Sequence, residues 1–375
     1  MAKYYENVLE TIGNTPLIKL NRIADSIPAQ VFAKVEAYNP GQSAKDRIAF
    51  HMVEQAEKSG QLKPGGTIIE ATSGNTGFSL AMISTIKGYR CILCVTSKAS
   101  KEKIALLKSL GAEVVICPAE AAPEDPNSYY SRASSLAKEI PNSFYLAQNF
   151  NLNNQGAHYK TTGPEIWEQT QGKITHYVCC AGTGGTLSGT ARYLKEQNPN
   201  IKVIAVDAYG SVLKRYWEVG YLDKSVIGSW KIEGLGKTII PDNVAFDLVD
   251  DFIKVPDKES AHRTRELARK EGLFLGYSAG AALESVFQIK DQFKKDDVVV
   301  VLCPDHGTRY LGKVYDDEWM IQQGFMHEFD FDEIPGGSSS SYSYEAVKQK
   351  YQAYYRTYRR KYKKYIRQTR DYLTR

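Results

Sequence analysis

Thr175-His176-Tyr177-Val178-Cys179-Cys180-Ala181 runs without a break into Gly182-Thr183-Gly184-Gly185-Thr186, and the helix-period segment 187–197 follows at once. An apolar run of strand length, a glycine turn and a helix make up one half of a parallel βαβ unit. The same alternation extends outward in both directions. Strands are predicted at 31–36, 67–71, 91–96, 113–117, 175–181, 202–208 and 298–303, with helices at 77–87, 101–110, 187–197, 258–271 and 280–292. Such alternation predicts an α/β chain whose right-handed crossovers bring the loops after the strands to one edge, where open sheets bind ligands. Two clusters of strands, before and after a middle segment near 119–160, predict two open, twisted, mostly parallel sheets flanked by helices, with a cleft between them.

The chain has 375 residues, room for two domains with ample cores. It carries 48 basic and 43 acidic residues, but positions 345–375 hold eleven of the former and two of the latter, leaving 37 and 41 in the preceding body. The body therefore offers no electrostatic reason to bind nucleic acid, whereas the tail does. Met1-Ala2-Lys3-Tyr4-Tyr5 and the residues after it show no basic stretch followed by an apolar run, so no secretory leader is expected. No apolar stretch reaches the ~18 residues that span a bilayer. Six cysteines lie in or beside strand-like runs, which suits buried free thiols in a reducing cytoplasm. Cys91 and Cys94 have C-x-x-C spacing, but residues three apart on a strand face opposite ways, which argues against a shared metal or redox pair. No metal site is expected.

The glycine turn at 182–186 admits two readings, a tight packing turn or a phosphate cradle of backbone N–H groups, two hydroxyls and a helix N-terminus. A dinucleotide fingerprint needs a third glycine where Leu187 stands, and no Gly-Lys-Ser/Thr follows, so NAD and Walker-type nucleotides are disfavoured. Thr72-Ser73-Gly74-Asn75-Thr76-Gly77 exceeds what a helix cap needs and suits a nest for a carboxylate. Asn39-Pro40-Gly41-Gln42-Ser43-Ala44-Lys45-Asp46-Arg47 opens with turn residues, glycine supplying positive φ, and Ser43 with Asp46 predicts a capping box. Lys45 then sits in a first helical turn, beside N–H groups of partial positive charge, and has reason to become a neutral, nucleophilic amine. A solvated lysine beside Asp46 is the plain alternative. In Gly276-Tyr277-Ser278-Ala279-Gly280, Ser278 stands at a helix head, as an N-cap or as a functional hydroxyl.

In this order and spacing, N-P-x-x-S-x-K-D-R at 39–47, T-S-G-N-T-G, G-T-G-G-T and G-x-S-x-G resemble the fold-type II pyridoxal-phosphate enzymes, with a tryptophan synthase β-like fold. More narrowly they resemble the cystathionine β-synthase and cysteine synthase family. The likeness runs from about Tyr4, through Ile12-Gly13-Asn14-Thr15-Pro16-Leu17, to about Met326. The resemblance implies that Lys45 holds pyridoxal 5'-phosphate as a Schiff base and acts as the base at the substrate α-carbon. It implies that Asn75 hydrogen-bonds the ring hydroxyl and that Gly182, Thr183, Gly184, Gly185 and Thr186 grip the phosphate. Ser278 would face the pyridine nitrogen as a neutral partner, keeping the ring a mild electron sink. Thr72, Ser73, Thr76 and Gln148 would bind the substrate carboxylate. The implied reaction is β-replacement through an aminoacrylate, to which a thiol or sulfide adds.

Ile232-Glu233-Gly234-Leu235-Gly236, Asp207-Ala208-Tyr209-Gly210-Ser211-Val212-Leu213 and Asp317-Glu318-Trp319-Met320 resemble the cystathionine β-synthase branch. That implies L-serine or an activated serine as donor and homocysteine or another thiol as acceptor. A cysteine synthase joining O-acetylserine and sulfide is the near alternative. An interaction protein that keeps the fold and acts through its basic tail is an alternative of another class. Lys237 and the stretches 96–100 and 149–153 depart from the family pattern, all on the implied substrate side.

The implied organisation is a larger cofactor-binding α/β domain from 1–47 and 152–330, and a smaller mobile one at 48–151. Positions 331–343, with Gly336-Gly337-Ser338-Ser339-Ser340-Ser341, read as a linker. In the basic, helical tail at 344–375, Tyr344, Tyr351, Tyr355, Tyr358, Tyr362, Tyr365 and Tyr372 mostly follow heptad spacing. Three readings of the tail stand open: self-association or packing on the body, an anionic partner such as RNA, DNA or a membrane, and a segment joined on through the Gly/Ser stretch. The family resemblance also implies a homodimer.

Overall fold

The computed structural model describes residues 4–72, 74–122 and 124–326. Its first half runs β1 (Leu17–Lys19), β2 (Gln30–Val35), α1 (Lys45–Lys58), β3 (Thr67–Ala71), α2 (Asn75–Lys87), β4 (Arg90–Thr96), α3 (Lys101–Ser109), β5 (Glu113–Cys117), α4 (Tyr129–Glu139) and β6 (Ser143–Tyr145). The second runs α5 (Asn153–Lys160), α6 (Thr162–Gln169), β7 (His176–Cys180), α7 (Gly185–Gln197), β8 (Lys202–Ala208), α8 (Leu213–Val219), β9 (Asp251–Val255), α9 (Asp257–Glu271), α10 (Tyr277–Gln288), β10 (Val298–Cys303) and α11 (Asp317–Gln322). One sheet has the order β1-β2-β10-β7-β8-β9, in which β1 alone is antiparallel to its neighbour. The other, β5-β4-β3-β6, is parallel throughout.

Parallel strands covered on both faces are apolar at nearly every position rather than at alternate ones. All six residues of β10 and all five of β3 are buried. The faces still differ. Val299, Val301 and Cys303 pack with Val178, Cys180 and the α10 residues Ala279 and Leu283, while Val300 and Leu302 pack with Tyr177, Cys179 and the α7 residues Leu187 and Ala191. In the smaller sheet Ile68, Leu93 and Val95 meet α1 and α2, whereas Ile69, Ile92 and Cys94 meet Ala133 and Leu136 of α4. All six cysteines are free and buried. Among the described residues no helix is long and apolar enough to cross a membrane.

Every strand predicted from the sequence is present, displaced by at most one residue at either end. Two expectations need correction. Positions 119–160 do not separate two groups of strands, because α4 and β6 complete the four-stranded sheet. The helix expected at 280–292 begins at Tyr277 and stops at Gln288, with Lys290–Gln292 a separate 3-10 turn. The linker at 331–343 and the tail at 344–375 lie outside the described residues.

A buried ionic network ties α1 to β2 and α6. Arg47 Nε and Nη2 donate to Glu36 Oε2 and Oε1 at 2.6 and 2.9 Å. The same guanidinium donates to both oxygens of Glu165, at 2.6 and 2.7 Å. Lys34 Nζ donates to Glu165 Oε2 at 2.6 Å and to the Thr15 carbonyl at 2.7 Å. Burial alone would raise the Glu36 and Glu165 carboxyls, yet Arg47 holds both below their ordinary value, with Lys34 assisting. Arg47→Met would strand Glu36 inside the protein and is expected to cost about 3–5 kcal/mol. Arg90→Met, which breaks an exposed pair with Glu113, is expected to cost about 0–1 kcal/mol. Urea unfolding followed by tryptophan fluorescence measures both, and equal losses would show the network to be worth no more than a surface pair.

Candidate active site

Residues 39–44 are stitched to the end of β10. Ala44 N donates to the Pro304 carbonyl at 2.8 Å, His306 N donates to the Gln42 carbonyl at 3.2 Å, and Ser43 bridges to Asp305. This fixes the head of α1, of which Lys45 is the first residue. The turn differs from its sequence reading. Its positive φ, 60°, falls on Gln42 and not on Gly41. Glycine is needed at 41 because a Cβ there would lie 2.2 Å from Asp46 Oδ1. No capping box forms either. Ala44 is the N-cap, Ser43 Oγ accepts from Lys45 N at 3.3 Å, and Asp46 accepts from Gly41 N and Ser79 Oγ at 2.5 Å each. Burial lifts Asp46 to about 6. Occupied in this way, it does not pair with Lys45.

Among the described residues Lys45 Nζ makes no hydrogen bond and no ion pair. Burial lowers its pKa, against weaker upward pulls from Cys179, Asp305 and Glu36. An amine whose charge finds no bonded acceptor moves toward its neutral, nucleophilic form. The neighbouring Asp305 follows β10 and is buried. Its Oδ2 accepts from Asn75 Nδ2 at 2.8 Å and from the Tyr310 hydroxyl at 2.7 Å, while Oδ1 has no partner. Asn75 Oδ1 accepts from Arg309. Both ends of the Asn75 amide are thus oriented by two residues that sequence reading missed. The available signal was an acid directly after a buried strand, at the edge where such sheets bind ligands. Ser278 is the second residue of α10, behind the N-cap Gly276, so it is not the cap. It is buried, and its hydroxyl makes no hydrogen bond to the described residues.

The glycine turn lies between β7 and α7, with Gly184 at φ 93°. The N–H groups of Gly182, Thr183 and Gly184 donate to no acceptor among the described residues. Free N–H groups heading a 13-residue helix make an anion site. No side chain fits at 185, where a Cβ would lie 1.8 Å from Asn154 Oδ1. Thr186 Oγ1 is held by His158 Nε2 at 3.0 Å, and His158 Nδ1 engages Thr162 Oγ1 at 2.8 Å. Burial first, then the charges of Arg47 and Lys45, push His158 well below its ordinary value, so it is neutral.

At the head of α2 Thr76 Oγ1 donates to Gln148 Oε1 at 2.7 Å, and before it Thr72 Oγ1 accepts from Gly74 N at 3.3 Å. Ser73 lies outside the described residues. The Gln148 carbonyl accepts from Asn154 Nδ2 at 2.8 Å and Asn243 Nδ2 at 3.0 Å, and Asn154 Nδ2 also reaches Thr183 Oγ1 at 3.1 Å. Asn154 thus joins Gln148 to the glycine turn, Asn243 ties Gln148 to the 241–245 stretch, and nothing in their local sequence marks them. Further out, Glu233 accepts from Lys103 of α3 at 2.8 Å and pairs with Lys313.

The family described as "Pyridoxal-phosphate dependent enzyme" matches residues 8–305. Cystathionine beta-synthase from Apis mellifera is 45% identical over 87% of this chain and 64% of its own length, and that from Rattus norvegicus 42% over 87% and 58%. The chain thus spans about three fifths of those relatives. Cysteine synthase 1 from Neurospora crassa is 39% identical over 84% of each chain. A hydrogen sulfide-producing enzyme from Fusobacterium nucleatum superposes with a TM-score of 0.75 at 37% identity, covering 82% of this chain and 98% of that one. O-ureido-L-serine synthase gives 0.77 at 32%, covering 85% and 99%.

The state of His158 has a measurable consequence. Folded, it stays neutral at a pH where the unfolded imidazole, near 6.5, takes up a proton. The unfolded state then binds more protons, so this residue makes stability rise with pH up to about 6.5 and flatten above. His158→Gln is expected to remove about one proton from the slope of unfolding free energy against pH between 5 and 6.5. Urea titrations across that range measure it, and an unchanged slope would mean that His158 is charged in the fold.

Proposed function

From a chain that belongs to the pyridoxal-phosphate dependent enzyme family, we propose a β-replacement enzyme of sulfur amino-acid metabolism, of cystathionine β-synthase type. It joins an L-serine-type donor to homocysteine or another thiol. The observation that carries this reading is the unpartnered Lys45 amine at the head of α1, where residues 39–44 meet the end of β10. The residues present fit the cofactor. The free N–H groups of 182–184 suit its phosphate, the unbonded Ser278 hydroxyl its ring nitrogen, and the Asn75 amide its ring hydroxyl. When bound, pyridoxal phosphate supplies an aldehyde that captures amines and a ring that accepts the electron pair left by a departing α-proton.

In this reading Lys45 Nζ, its pKa lowered by burial, takes that proton from the donor Cα. Gly182, Thr183, Gly184, Gly185 and Thr186 hold the phosphate, with Thr186 aimed by neutral His158. Thr72, Ser73, Thr76 and Gln148 bind the donor carboxylate. Residues 48–151 form a smaller domain that closes over the larger one, 1–47 with 152–330, and excludes water from the reacting centre. The active species is a homodimer, and the buried free thiols support a cytoplasmic location.

The acceptor divides this reading from a second one. Relatives named cystathionine beta-synthase support a carbon thiol, while the match to Cysteine synthase 1 along most of both chains favours O-acetylserine with sulfide. The test begins with colour. Purified protein is expected to absorb near ~410–430 nm, and Lys45→Ala to lose that band. A protein that stays colourless with added cofactor would end the reading. Product analysis with serine plus homocysteine, and with O-acetylserine plus sulfide, then separates the two acceptors.

A further inference from the structure

Behind the glycine turn, α5 and α7 lie against each other, and glycines on α7 let α5 come close. A Cβ at Gly185 would lie 1.8 Å from Asn154 Oδ1, and one at Gly189 would lie 2.1 Å from the Gln155 carbonyl oxygen. α5 therefore passes the start of α7 nearer than any side chain there would permit. Asn154 and His158 are four residues apart on α5 and share its buried face. Each reaches a threonine of the turn. Asn154 Nδ2 donates to Thr183 Oγ1 at 3.1 Å, and His158 Nε2 meets Thr186 Oγ1 at 3.0 Å. The other nitrogen of His158 ends at Thr162 Oγ1, on α6, whereas Asn154 leads to a second binding residue.

An asparagine nitrogen has two hydrogens, and the second of Asn154 goes to the Gln148 carbonyl at 2.8 Å. Asn154 Oδ1, fully buried, has no partner among the described residues. An unpaired buried oxygen is costly, so the amide is held by its two donors. Turning it over would set oxygen against oxygen at the Gln148 carbonyl. The bond to Thr183 also fixes a proton. Because Thr183 Oγ1 accepts from Asn154, its own hydrogen points away from Asn154 and is left for the anion of the turn. Gln148 is gripped at every polar group but one. Its N–H donates to Glu70 Oε2 at 3.4 Å, its carbonyl accepts from Asn154 and from Asn243 Nδ2 at 3.0 Å, and its Oε1 accepts from Thr76 Oγ1 at 2.7 Å. Its Nε2 makes no hydrogen bond among the described residues. Thr183, Asn154 and Gln148 thus form an unbroken chain from the phosphate turn to the amide that faces the donor carboxylate. Asn243 reaches the same carbonyl, but its side chain makes no hydrogen bond to the turn.

We propose that Asn154 is a positioning residue that couples the two anion sites, so that a carboxylate gathered at Gln148 is felt by the phosphate held at the glycine turn, and the reverse. The inference rests on the β-replacement reading for what fills each site, the amino-acid donor at one and the cofactor phosphate at the other. A phosphate that draws the Thr183 hydroxyl toward itself tilts the bond from Asn154, and with it the Gln148 carbonyl. A carboxylate drawn to Gln148 Nε2 moves the same bonds in the opposite order. Coupling of this kind is reciprocal by thermodynamic necessity. The donor then finds its carboxylate site fully set only when the phosphate is seated.

The experiment follows the phosphorus NMR signal of the cofactor-loaded enzyme in the absence of thiol. L-serine is compared with L-serinamide, which brings the same amine and hydroxyl but no carboxylate. In wild type, L-serine is expected to displace the signal further than serinamide does. Asn154→Ala should abolish that difference and lower the serine-to-serinamide affinity ratio at least about fivefold. Asn243→Ala removes the other donor to the Gln148 carbonyl; it should weaken serine binding yet keep the displacement at saturation. A wild-type signal that answers both compounds alike would overturn the proposal. So would a displacement that survives Asn154→Ala, or one lost equally in Asn243→Ala, which would show only that Gln148 has to be held. Thr183→Val cuts the same chain at its other bond and decides the matter if Asn154→Ala does not fold, a retained displacement counting against the coupling. A serine-specific displacement in a protein that forms no β-replacement product with any thiol would sink the reaction and leave the coupling standing. Product formation without the displacement would do the reverse.

Discussion

Arg47 is the group on which the placement of α1 depends. A guanidinium offers a planar fork, and here it engages two carboxylates at once, Glu36 at the end of β2 and Glu165 on α6. Lys34 adds the second positive charge, so the cluster has two cations and two anions and no excess of either. Neutrality matters more than attraction here. A buried ion is tolerated when every neighbour answers it, and the cost of desolvating the set is returned only through good geometry. The consequence is positional: Arg47 is two residues from Lys45, so the orientation of the first turn of α1 is fixed by a network that never touches the reacting centre.

That arrangement explains how the same short helix can begin with one cation fully matched and another wholly unmatched. Arg47 takes the acids that could have quenched Lys45, and Asp46 is turned away to Gly41 N and Ser79. Lys45 is left with the distant pulls of Cys179, Asp305 and Glu36, which do not offset its burial. Asp305, the acid best placed to intervene, is engaged by Asn75 and Tyr310 on one oxygen, and burial raises its pKa. The lowered pKa of this amine therefore follows from its burial and from where the acids have been committed, and the helix dipole only adds to it.

β4, β7 and β10 were legible because both faces of a parallel sheet are covered, which leaves five or six consecutive apolar residues, while β2, β3, β5 and β8 were legible from shorter β-branched runs of two to four. β1 and β6 have three residues each, and β9 carries Asp251 and Lys254, so none gave that signal. The glycine turn, Lys45 and the Thr72–Thr76 loop were legible as local chemistry and, more specifically, as a resemblance. Asp305, Arg309, Asn154, Asn243 and His158 were not, because their work is tertiary: each orients a residue far away in sequence, as when Asn243 meets the Gln148 carbonyl. The capping box failed for a related reason. A local rule gave Asp46 to the helix N-terminus, but Ser79, on the neighbouring helix α2, offered a partner at 2.5 Å.

The loop at 232–237 is placed by its main chain rather than by its charged side chains. Its backbone is tied to the entrance of the glycine turn by Gly236 N and to the 211–212 corner by Lys237, so its path cannot shift without disturbing the anion site. Ile232 and Leu235 are buried in the core, but the charged side chains of the loop are under no such constraint. Glu233 reaches outward to Lys103 on α3 and to Lys313, and Lys237 reaches inward toward Lys45 and Glu70. A substitution at 237 changes the charge felt by Lys45 and Glu70 while every main-chain contact of the loop is kept.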